Sequence, residues 1–124
     1  MLKSSQQFAK NLKFLFSLSQ DISGKRFTYE NLSGLPEPVQ HYFKRVLRNG
    51  QPFINYTRLT HEGQFKTKLE NDWINIEGEE YFTTQKPGFI WKGKTKNFSA
   101  YDMFLAGKGR LLVMLFSIFK IVDG

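Results

Sequence analysis

The run Gly78-Glu79-Glu80-Tyr81-Phe82-Thr83-Thr84-Gln85-Lys86-Pro87-Gly88-Phe89-Ile90-Trp91 constrains this chain more than any other segment. Two aromatic-rich half-strands flank the turn-forming triplet Lys86-Pro87-Gly88, which predicts a β-hairpin stacking large flat side chains over an apolar surface. Past the turn, Phe89, Trp91, Gly93 and Thr95 alternate with Ile90, Lys92, Lys94 and Lys96. That period of two predicts a buried aromatic face and a wet lysine face.

Around this hairpin the periodicity changes twice. Residues 5–20 place Phe8, Leu12, Leu15 and Phe16 at helical spacing, with Phe14 and Leu18 off the stripe, and predict an amphipathic helix. Asp21 to Gly34 has no sustained period and reads as a linker, so residues 1–34 are expected to be an N-terminal helix and linker, and 35–124 the main domain. Leu35, Val39, Tyr42, Phe43, Val46 and Leu47 then predict a second helix over 36–48, opened by Pro36 and Pro38 and stopped by Asn49-Gly50. After Pro52 come strands: one from Phe53 to about Leu59, one over Gly63–Leu69, one over Trp73–Thr84, one over Gly88–Lys96 and a short one over Ala100–Ala106. Leu111 to Val122 is apolar on both alternating faces and fits either a buried strand or a packed helix. The fold class is therefore α+β, an antiparallel sheet of about five strands preceded by one or two helices.

Thirteen Phe, five Tyr and two Trp in 124 residues are too many for a disordered chain. With no cysteine, disulfides and thiolate metal sites are excluded. The net charge of +7 is uneven: residues 1–50 set eight bases against Asp21, Glu30 and Glu37, leaving the centre of the chain nearly neutral. Phe14-Leu15-Phe16 falls short of the about 7–15 apolar residues of a signal-peptide core, and the run from Leu111 falls far short of the ~20 of a membrane span. A cytoplasmic or peripheral-membrane location is expected.

Leu35-Pro36-Glu37-Pro38-Val39-Gln40-His41-Tyr42, Gly50-Gln51-Pro52, Tyr81-Phe82-Thr83-Thr84, Pro87-Gly88-Phe89-Ile90-Trp91, Tyr101-Asp102 and Gly107-Lys108-Gly109 follow one another in an order that resembles an uncharacterised bacterial family, a domain of unknown function. The likeness covers about residues 35–124 and the amino-terminal half of that domain. It implies a curved antiparallel sheet with helices against it, similar in outline to the half-barrels of lipoprotein carriers, which hold an acyl chain. It also implies a chain that stops before its half-barrel is complete. The apolar run 111–122 itself is expected to be covered by a missing C-terminal half or by a second copy.

Chemistry-bearing residues are sparse. His41 and His61 are the only histidines and neither has a second ligand at metal spacing, so no metal or cofactor is expected. None of the serines sits on a nucleophile elbow. Glu77, Glu79 and Glu80 suit cross-strand pairing with Lys92 and Lys94 better than acid–base catalysis. Gly107-Lys108-Gly109-Arg110 lacks Walker spacing and reads as a turn. Asp102, between Tyr101 and Met103, is expected to be a structural polar group needing a partner if buried. Phe65, Tyr81, Phe89, Trp91 and Tyr101 either line an apolar groove or fill the core. Bases opposite Trp91 rather than beside it argue against nucleic acid.

The first functional expectation is a non-enzymatic domain that binds an apolar or lipid-like ligand on those aromatics. The second is a basic peripheral-membrane or protein-interaction module presenting residues 1–20 and 36–48 to an anionic surface. An enzyme, with no residue nominated, ranks last.

Overall fold

The computed structural model describes residues 2–116 and 119–124. They form helix α1 (Leu2–Leu18), a 3₁₀ turn (Tyr29–Leu32), helix α2 (Glu37–Val46) and strands β1 (Tyr56–Phe65), β2 (Ile74–Thr83), β3 (Gly88–Lys94), β4 (Phe98–Leu105), β5 (Lys108–Leu115) and β6 (Phe119–Asp123). The chain divides into two compact units, α1 with residues 56–124 and, separately, Asp21–Asn55. The expected boundary near residue 34 thus falls inside the second unit, and α1 belongs with the sheet because its apolar stripe packs there.

The sheet unit is an antiparallel meander of six strands in sequence order, curved and not closed. Its aromatic hairpin pairs Thr83 with Gly88 and leaves Thr84 to Pro87 as the loop. Leu105 pairs with Lys108 across Ala106-Gly107, both at positive φ (50° and 79°), as a two-residue hairpin turn of this hand requires. The two strands expected between Phe53 and Leu69 are one ten-residue strand, β1. Curvature is visible in side chains: the Phe65 and Phe98 ring centroids are 5.8 Å apart although β2 and β3 lie between them. Three flat strand spacings would come to about 14 Å.

Helix α1 covers one face of this sheet. Leu15, Ile90, Tyr101 and Met103 form the buried cluster, with Phe8, Leu12, Tyr81, Leu105, Leu112 and Met114 packed around it. Phe16 adds edge contacts to Tyr56 and Tyr81. A Cβ at Gly88 would stand 2.8 Å from the Phe104 carbonyl oxygen and 2.9 Å from Leu15 Cδ1, so glycine there is what lets helix and hairpin approach. The expectation for β3 holds in part: Lys94 is exposed and Gly93 buried, but Ile90, on the lysine side, is 0% exposed, whereas Phe89 and Trp91 are only half-buried. A single helix has its own width to cover; it buries the middle of the face and leaves Lys92 and Lys94 near the margin.

Leu111–Val122 is two strands rather than one, the first of them an interior strand between β4 and β6. It holds most of β5 and β6, Ser117 and Ile118 lie outside the described residues, and β6 is a sheet edge. Ile121 (57% exposed) and Val122 (44%) are not buried. Polar contacts hold the edge: Arg110 donates two hydrogen bonds to the Asp123 carboxylate (2.6 and 2.8 Å), and Lys120 donates a third (2.7 Å).

The unit Asp21–Asn55 carries more structure than a linker. Arg26 and Pro52 form an antiparallel bridge, flanked by backbone bonds from Phe27 N–H to Gln51 (2.8 Å) and from Gly50 N–H to Phe27 (2.7 Å). Phe27 is buried and touches Tyr29 and Phe53, and Ile22 and Leu32 are buried too. Asn31 Oδ1 accepts the Thr28 N–H at 2.8 Å to start the 3₁₀ turn. α2 begins after Pro36 and has no buried residue.

Arg110 first, then Lys120, holds the Asp123 carboxyl well below the ordinary carboxylate range through hydrogen bonds to its charged form. A depressed carboxyl stabilises the fold above its unfolded titration range and loses that contribution as pH falls. Hydrogen exchange of the β6 amides is expected to quicken in Asp123→Asn and, in the parent protein, on acidification below about pH 4. Unchanged β6 protection in the variant would show that apolar contacts alone hold this edge.

Candidate functional site

Side chains alternate across a sheet, so the register sorts every strand residue onto one of two faces. On the face turned away from α1, one row runs Thr57, Phe82, Phe89, Phe104, Gly109. The next runs Leu59, Glu80, Trp91, Asp102, Leu111, and the third runs His61, Gly78, Gly93, Ala100, Val113, Val122. Phe65, Ile74, Ile76 and Phe98 complete the face at one end. Leu59, Phe104, Leu111 and Val122 are each 37–44% exposed. It is an apolar and aromatic surface, concave enough for Phe65 and Phe98 to meet.

The third row explains how the rings lie. Trp91 Nε1–H donates to His61 Nε2 at 2.8 Å. The two ring planes are within 7° of parallel and their centroids 6.1 Å apart. An N–H directed at a nitrogen lone pair lies in both ring planes, so the rings sit side by side as one flat platform. Beneath it are glycines: a Cβ at Gly78 would collide with the His61 imidazole and one at Gly93 with the six-membered ring of Trp91. Glycine within a strand weakens it, and its use here is the close approach of two flat rings to the backbone.

Charge is segregated by face. The strand residues of the α1 face include Arg58, Lys92, Lys94, Lys108, Arg110 and Lys120, whereas the register puts no Lys or Arg from the described strands on the platform face. Its ionisable groups are Glu80 and Asp102, directly opposite Trp91 on either side, and His61. Burial among apolar neighbours pushes the Glu80 carboxyl up, His61 opposes the shift and Asp102 adds to it. Asp102 is itself exposed.

Of the sequence-nominated residues, Phe65, Phe89 and Trp91 share this face. Tyr81 and Tyr101 lie on the opposite one, against α1, with Phe8 near both rings. Asp102 is on the platform face beside Trp91. Sequence reasoning missed His61 and the glycine row; the signal was two glycines inside strands otherwise rich in large residues.

The α1 face has its own feature. Beyond the helix, an open concavity of about 570 Å³ is lined by Thr60, His61, Glu62, Glu77, Gly78, Glu79, Lys92 and Lys94. The expected pairing is present: Glu77 opposes Lys94 and Glu79 opposes Lys92. Glu79 is 3.4 Å from Arg58 and 3.9 Å from Lys92, and the Tyr81 hydroxyl donates to it at 3.3 Å. These are mutually neutralised, half-exposed charges, which suit solubility and sheet register better than recognition. Among the described residues no metal-holding group of His, Cys, Asp or Glu occurs, and no helix is long and apolar enough to cross a membrane.

The sequence model of a family described as "Family of unknown function (DUF6544)" matches residues 25–124. Neither the curated proteins nor the solved structures contain a match to the chain.

If the glycine floor seats the platform, Gly93→Ala forces Trp91 off it and is expected to cost roughly 1–3 kcal/mol in urea unfolding. Gly63→Ala, where nothing lies within 4 Å of the added carbon, is expected to stay within about 0.5 kcal/mol of the parent. Equal effects would mean that the rings adapt freely.

Proposed function

The chain belongs to that family of unknown function, and on this premise we propose that it is a non-catalytic binding domain that holds an apolar, lipid-like ligand on the platform face of its sheet. One observation carries the reading: the face turned from α1 is concave, lined by Phe65, Phe82, Phe89, Trp91, Phe98 and Phe104, and part of its apolar surface is open to solvent. Exposed apolar area of this kind, rimmed by polar residues, marks interaction surfaces. An acyl chain lying along the phenylalanine row would exchange water for rings and methyl groups, the ordinary driving force for such sites.

Trp91 reports occupancy directly. In Trp73→Phe, Trp91 is the remaining tryptophan, and titration with decyl maltoside below its micelle concentration is expected to shift its emission to the blue and saturate. A flat titration, with the far-UV circular dichroism of the folded protein, would refute the proposal.

A second reading rests on α2. Its Val39, Tyr42 and Val46 are 37%, 60% and 52% exposed, and Lys44 and Arg45 lie in the last turn. A basic amphipathic helix with a free apolar side suits an anionic bilayer surface. Co-sedimentation with vesicles rich in anionic lipid is expected to fall as salt rises from 0.05 to about 0.5 M through Debye screening. No sedimentation at low salt would exclude it.

A further inference from the structure

An apolar face has no use for two carboxylates at its centre. Glu80 and Asp102 stand on either side of Trp91 in one cross-strand row, on a face whose described strands contribute no Lys or Arg, in a chain of net charge +7. They are not there for cross-strand pairing, since the bases of the sheet are on its other side. Nor do they stabilise each other: burial already shifts Glu80 toward its neutral form, and the Asp102 charge adds to that shift. Between them lies the half-buried indole of Trp91, which sits over Gly93 where an added Cβ would collide with it and which is held in place by its hydrogen bond to His61.

Indole is the strongest cation–π partner among side chains, and a desolvated cation over its face gains further from carboxylates in the same cross-strand row. We infer that the Trp91–His61 platform, flanked by Glu80 and Asp102, is the head-group site for an organic cation, an alkylammonium whose apolar body lies on the neighbouring phenylalanine row. The inference rests on the ligand-binding reading above and specifies its ligand class. A neutral amphiphile would leave both carboxylates facing an apolar body without a partner; an anionic one would add a third negative charge.

Three probes with one tail separate the cases: decyltrimethylammonium, decyl maltoside and decyl sulfate, each below its micelle concentration, read by Trp91 emission in Trp73→Phe. The ammonium probe is expected to bind about tenfold more tightly than the maltoside, and the sulfate more weakly than either. In the added double variant Glu80→Gln with Asp102→Asn, the preference for the ammonium probe over the maltoside is expected to vanish. Equal affinity for all three probes, or a preference that survives the double variant, overturns the cation site but leaves the apolar site standing. Failure of all three to bind overturns both. Should the double variant not fold, the order of the three probes on the parent, and loss of the ammonium preference in high salt, decide the matter.

Discussion

The packing of α1 across the middle of the sheet decides what the rest of this unit can do. Leu15 enters between Ile90, Tyr101 and Met103, and Gly88 allows the contact by presenting bare backbone where a side chain would collide with Leu15 and with the Phe104 carbonyl. An amphipathic helix has one apolar stripe and can cover one sheet face. The other face of the same strands keeps its apolar side chains in partial contact with water, and the strand alternation makes that face aromatic.

Two structural devices shape the uncovered face. The glycine row lets His61 and Trp91 lie down on the backbone, which turns two bulky side chains into a floor. The segregation of charge puts the bases of the strands with α1, where Glu77 and Glu79 neutralise Lys94 and Lys92, and among the described strand residues leaves the floor with Glu80, Asp102 and His61 as its ionisable neighbours. Both follow from a period of two: a residue moved by one position along a strand changes face, so a register slip would mix the two surfaces entirely. Aromatic pairs such as Phe82 with Phe89 (centroids 6.3 Å apart) and the Glu–Lys pairs on the reverse side both favour the observed register.

Much of this was legible beforehand. The stripe of Phe8, Leu12, Leu15 and Phe16 names the contact side of α1; the alternation after Pro87 names the two sides of β3; the Glu77–Lys94 and Glu79–Lys92 pairs follow from placing the turn between Thr83 and Gly88. Other features were not legible, for identifiable reasons. Asp21–Gly34 lacks periodicity, yet it is ordered through bonds to residues 49–52, and such long-range partners leave no local pattern. Leu111–Val122 looked buried because hydropathy cannot register that β6 is an edge strand. His61 looked idle because its partner, Trp91, lies thirty residues away.

The sequence by itself determined the class of fold, which residues of β3 share a side and the absence of thiol chemistry, because those depend on residue type and on spacings of a few positions. Which face of the sheet receives the helix was decided only by tertiary packing. Both faces of β3 are apolar enough to accept one, and the choice rests on how Leu15 and Gly88 fit. The same is true of the platform: Gly78 and Gly93 are adjacent only because β2 and β3 pair in this register, and only curvature brings Phe65 to Phe98 across the strands between them.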